Sequence, residues 1–189
     1  MPGSKYTADE VPSHWTPYII EYKGIFDYEG LYKLIVRWLQ DRSYEFHERT
    51  YKHKPGGGEG KEQEIKMEAW KKVNELNRYW FDIYIHVWDM NEVEVIKDDQ
   101  KVRMVKARVR ILITTKIERD WQGRFRGSEA LRRLRGFYDK YVIYKDMTAI
   151  IGDMLHYKIV KLQNEIKEFL GMETPSKAYY HYMGPDQSG

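Results

Sequence analysis

Along residues 78–90, "RYWFDIYIHVWDM", apolar and mixed positions alternate with a period of two. Tyr79, Phe81, Ile83, Ile85 and Val87 form one set. Trp80, Asp82, Tyr84, His86 and Trp88 form the other. Neighbouring residues of a strand point to opposite faces, so the run predicts a strand with one core face and one aromatic, polar face. Residues 102–121 repeat the pattern. Val105, Ala107, Val109, Ile111, Ile113 and Ile117 face one way; Lys106, Arg108, Arg110, Thr114 and Lys116 face the other, interrupted by Leu112. Alternation of this kind belongs to an antiparallel sheet with one face in the core.

The remaining elements follow from the same two periods. Residues 17–25 ("PYIIEYKGI"), 43–54 and 62–73 predict strands, the last with Ile65, Met67 and Ala69 on one side; 78–97 is one long strand or a strand broken near "DMNE". Between the first two, Leu31, Leu34, Ile35, Trp38 and Leu39 recur at spacings of three and four and predict a helix over 27–42, capped by Asp27. The glycine run "PGGGEG" (55–60) lacks the Lys-Ser/Thr and the following helix of a phosphate loop, and predicts a hairpin turn. After "QGRFRG" the chain turns helical from Ser128 to about residue 170, with a stripe at Leu131, Leu134 and Tyr138 and a break near "YVIYKD". The last helix carries Leu155, Ile159, Leu162, Ile166 and Phe169 and stops at Gly171.

The expected fold is α+β: an antiparallel curved sheet of about five or six strands packed on a long C-terminal helix, with one helix after the first strand. A loose N-terminal arm (1–16), a single domain (17–171) and an irregular, Tyr-rich tail (172–189) complete the expected organisation.

This order of elements, over residues 17 to 170, resembles the helix-grip superfamily of START domains and birch-allergen proteins, in which a curved sheet wraps around its last helix. The strand count is about one short, and one helix stands where that fold commonly has two. The resemblance implies a cavity for apolar ligands between sheet and helix. It rests on no residue motif and carries over no ligand contact.

Composition narrows the class. With 42% hydrophobic and 32% charged residues, 189 residues make a globular protein able to bury one core. The absence of cysteine excludes disulfides and thiol chemistry. No signal-like or membrane-length apolar run occurs, so a cytoplasmic location is expected. Many Lys, Glu, Arg, Tyr and Ile residues give a thermophile-like or archaeal-like composition. A net charge of +3 is too small to indicate a nucleic-acid binder by itself.

Candidate chemistry is sparse. The serines fall in tails and turns, and Asp82 and His86 lie roughly 13 Å apart along a strand, too far for a hydrogen bond. His47 and His53 share a strand near His86, yet no third ligand is evident and no helical His pair exists. No catalytic residue, metal site or cofactor is therefore expected. What remains is the second face of the sheet, where Trp70, Trp80, Tyr84, His86 and Trp88 meet Lys106, Arg108 and Arg110. Trp, Tyr and Arg dominate binding hot spots, although cation–π and cross-strand pairs alone can stabilise a solvated sheet. The leading expectation is a non-catalytic protein-binding or self-assembling module, its partner a protein or a second copy. The alternative is a small-ligand carrier with a cavity lined by Ile111, Ile113, Leu155 and Ile159. Single-stranded nucleic acid or ribosome binding ranks third, because acidic residues share the face and no RNA-binding strand motif occurs.

Overall fold

The structure, a computed structural model, describes residues 10–12, 17–54, 60–97, 100–125, 128–138 and 146–172. In chain order the elements are β1 (Glu10–Pro12), β2 (Tyr18–Phe26), α1 (Tyr28–Asp41), β3 (Glu45–Lys54), β4 (Lys61–Lys72), β5 (Asn77–Lys97), β6 (Gln100–Arg119), α2 (Glu129–Tyr138) and α3 (Asp146–Phe169). The strands form one antiparallel sheet in the order β1–β6–β5–β4–β3, with β2 also on β6. β1 pairs with Lys116–Glu118 and β2 with Val105–Ile113, so both lie along the same side of β6. The sheet is thus five strands wide and open, and the fold is α+β as the periodicities predict.

Residues 10–12, inside the segment expected as a loose arm, add the short strand β1. Residues 55–59 of the glycine turn lie outside the described residues, but the β3–β4 pairing it joins is the expected hairpin. The tail beyond residue 172 and most of the expected helix break also lie outside them.

Local signals place the helix ends. Asp27 Oδ1 accepts from Gly30 N–H at 2.8 Å, capping α1 as its position suggests. Ser128 Oγ accepts from Leu131 N–H at 3.2 Å at the start of α2. Gly171 has φ +67°, the left-handed conformation that ends many helices.

The inner face of the sheet meets α1 and α3 in one hydrophobic cluster. Val109, Ile111 and Ile113 from β6, Phe81, Ile83 and Ile85 from β5, and Leu155, Ile159, Leu162 and Ile166 from α3 are all buried in it. From α1 come Leu31, Ile35, Trp38 and Leu39. Phe81 takes the edges of two rings, with Trp38 at 5.8 Å and Tyr44 at 5.1 Å. Trp38 Nε1–H reaches Glu165 at 2.9 Å and so ties α1 to α3. Each aliphatic side chain of this kind stabilises the fold by about 1.5–3 kcal/mol when fully buried.

The α2 stripe departs from expectation. Leu134 and Phe137 are 53% and 60% exposed, and Leu131 is exposed with them. Helical spacing puts these residues on one side of the helix; it does not supply a surface to cover them.

Candidate interface on the outer sheet face

Both core helices pack on the inner face, so among the described residues the outer face is built from the strands and the turn after β6. Its geometry starts at the β4–β5 turn. Asn74 Oδ1 accepts from Leu76 N–H at 2.9 Å and from Asn77 N–H at 2.7 Å, while Val73 N–H reaches Asn77 O at 3.1 Å. This closure sets the register that puts Trp70 opposite Trp80, Glu68 opposite Asp82, Lys66 opposite Tyr84 and Glu64 opposite His86.

Two aromatic clusters result. At one end, Trp70 and Trp80 approach at 5.2 Å, and His47 stacks on Trp70 at 4.3 Å with nearly parallel planes. Arg78 and Lys116 lie 5.1 and 4.9 Å from the Trp80 ring. Glu118 then accepts from Trp80 Nε1–H at 2.8 Å and from Arg78 Nε–H at 2.9 Å. At the other end, Trp88 lies 3.7 Å from the His86 ring, with Arg108 and Arg110 at 5.0 and 5.7 Å from its own ring. Tyr84 sits between them under Lys66, at 5.7 Å. Burial pushes the Tyr84 phenol above its usual range, and the nearby Glu64 and Glu62 charges push it further.

The expected interface residues therefore fall on one face. Trp70, Trp80, Tyr84, His86 and Trp88 are half-buried there, and Arg108 and Arg110 are exposed. Lys106 stands at the margin, opposite Ile25 and Asn91 and beyond a bulge between Trp88 and Asn91. Ile111, Ile113, Leu155 and Ile159, placed by the carrier alternative around a cavity, sit fully buried in the core cluster. An open pocket of about 370 Å³ lies instead at the β2 edge of the sheet, lined by Glu21, Tyr22, Lys23, Trp88, Arg108 and Arg110.

Cross-strand registers also assemble a row that sequence reading leaves hidden. Glu21, Arg110, His86, Glu64 and Lys52 stand side by side across β2, β6, β5, β4 and β3. Arg110 Nε and Glu21 pair at 2.6 Å. His86 Nε2 lies 2.5 Å from Glu62 and 3.9 Å from Glu64. His47 and His53, expected to share a strand, are separated by a bulge between Glu48 and Thr50. It leaves His47 opposite Glu68 and His53 opposite the buried Gln63.

No protein-family description matches the sequence, and no curated protein matches it. Among the described residues, no helix is long and apolar enough to cross a membrane.

Proposed function

We propose that the protein is a non-catalytic self-assembling module whose outer sheet face contacts a second copy of the chain. The observation that supports this most is the charge order of the row through His86. Glu21, Arg110, His86, Glu64 and Lys52 read acidic, basic, imidazole, acidic, basic across the sheet. A copy turned over about the axis of β5 would set Glu21 against Lys52 and Arg110 against Glu64, with His86 at the centre. Self-complementarity of this kind is what a two-fold interface requires. The flanking tryptophans and arginines supply the residue types that dominate such contacts.

Light scattering across concentration and salt tests the reading, with a Trp80→Ala, Trp88→Ala double variant beside the wild type. Buried aromatic anchors cost about 2 kcal/mol or more each when truncated. The double variant is therefore expected to associate about a thousandfold more weakly. High salt should weaken the wild-type assembly, because three of its facing charges, Glu21, Arg110 and Lys52, are exposed. A wild type that remains monomeric at every concentration overturns the proposal.

A further inference from the structure

Glu64 and His86 of the cross-strand row, joined by Glu62, also form a constellation with the donor set of a metal site. Their donor atoms all lie within 4.8 Å of one another. Glu64 and His86 are direct partners across the β4–β5 ladder. Glu62 joins them because it lies two residues before Glu64 on the same face of β4, beside an irregularity of the β4–β5 ladder between Lys61 and Gln63. Gly60 and Asp89 adopt positive φ at that irregularity, +95° and 54°. A Cβ on Gly60 would fall 2.9 Å from the Asp89 backbone, so the close approach there depends on glycine.

Several features fit these three side chains to a metal ion. First-row divalent ions bind histidine nitrogen and carboxylate oxygen at about 2.0–2.2 Å, so neighbouring ligands stand about 3–4 Å apart. The His86–Glu64 separation of 3.9 Å already has that span, and Glu62, at 2.5 Å from His86, needs only to swing outward. Two carboxylates balance a charge of two. Imidazole selects transition ions over magnesium and calcium, which prefer oxygen donors alone. The three side chains are 15% to 28% exposed and rise from paired strands, so little ordering is left for an ion to impose.

The surroundings of His86 also suit a ligand role. Its Nδ1 lies 3.4 Å from the Tyr84 hydroxyl, and Trp88 covers its ring. A metal-bound histidine commonly has its second nitrogen hydrogen-bonded in this way, which fixes the ring and leaves Nε2 for the ion. Among the neighbouring cations, Lys52 stands opposite Glu64 across the β3–β4 ladder, and Arg110 is paired with Glu21. Lys66 stands over the Tyr84 ring. The competing state is a His86–Glu62 ion pair with a protonated imidazole, which needs no metal.

We propose that Glu62, Glu64 and His86 bind one divalent first-row transition ion of the zinc class on the outer sheet face. Three protein ligands leave at least one coordination position for water or an added anion. All three ligands come from one chain, so binding does not require self-assembly; a second copy docked as proposed above sets its Arg110 against Glu64 and competes with the ion.

The test is calorimetric titration of the full chain with zinc, with cobalt as the coloured substitute and magnesium as the contrast. One equivalent of zinc or cobalt should bind and magnesium should not. His86→Ala and Glu64→Gln should each weaken binding by tenfold or more. His47→Ala should leave it unchanged, since His47 stacks on Trp70 away from the site. Magnetic resonance of the wild type needs no variant: cobalt should broaden and shift the His86 ring and Trp88 indole signals before those of His47 and Trp70. Absence of one-to-one binding in the wild type overturns the proposal. So does binding that survives His86→Ala, or broadening centred on another histidine.

Discussion

The two faces of β5 hold together by different physics. On the inner face, Phe81, Ile83, Ile85 and Val87 are almost wholly buried against helices, and their contribution grows with the area removed from water. On the outer face, Trp80, Tyr84, His86 and Trp88 are half-buried by one another and by the arginine and lysine side chains laid over them. The first face is non-directional and indifferent to salt. The second is directional, charged and open, and it is stabilised pair by pair. A strand can therefore give one side to folding and keep the other available for recognition.

The contrast is sharpest in paired truncations. Phe81→Ala should cost about 3–5 kcal/mol in chemical denaturation, since it leaves a cavity between Trp38 and Tyr44. The preceding residue, Trp80, is larger, yet Trp80→Ala should cost only about 1–2 kcal/mol from lost cross-strand and cation–π contacts. Equal losses at the two positions would mean that both faces are covered.

Alkaline pH probes the phenols packed around the core. Burial raises the Tyr44 and Tyr28 phenols far above their ordinary value, and Tyr32 is pushed up to about 12 by burial and its bond to Glu48. The Tyr28 and Tyr44 hydroxyls are buried with no hydrogen-bonding partner among the described residues. A phenol whose folded pKa is raised holds its proton after the unfolded chain has released it. Its stabilising contribution is whole below about pH 10 and declines as pH climbs through the folded value. Denaturation midpoints should fall from about pH 10 upward, with tyrosinate absorbance rising in step with unfolding. A stability that stays level to pH 12 would show that these phenols are not held inside.

Much of this contrast is legible in the sequence, because the period of two assigns the β5 side chains from Tyr79 to Trp88 to a face without knowledge of their partners. The caps at Asp27 and Ser128 and the stop at Gly171 are equally local signals. The triad at His86 is not local. It depends on the Asn74 turn, which sets the β4–β5 register that brings Glu64 opposite His86, next to a bulge in the same ladder. A bulge of the same kind in β3 separates His47 from His53, which an unbroken alternation would keep together. The exposure of Leu131 and Leu134 was hidden for a different reason: periodicity reports which residues share a side, and says nothing of what lies beyond it.

The position of β6 has a consequence for how the chain reaches this state. β3 to β6 form a meander whose neighbours in space are neighbours in sequence, and its hairpins close over short loops. The fifth column is different, since β2 must find β6 from the other end of the chain, pairing Ile20 with Ile111. Loop-closure entropy sets that event late, after the hairpins have formed. Until it happens, Val105–Ile113 of β6 offer a long row of unpaired amides and carbonyls beside exposed isoleucines. That is a template onto which any other strand can add. Expression conditions that slow the arrival of the N-terminal third should therefore favour aggregates built on β6, and a covalent tether between β2 and β6 should suppress them.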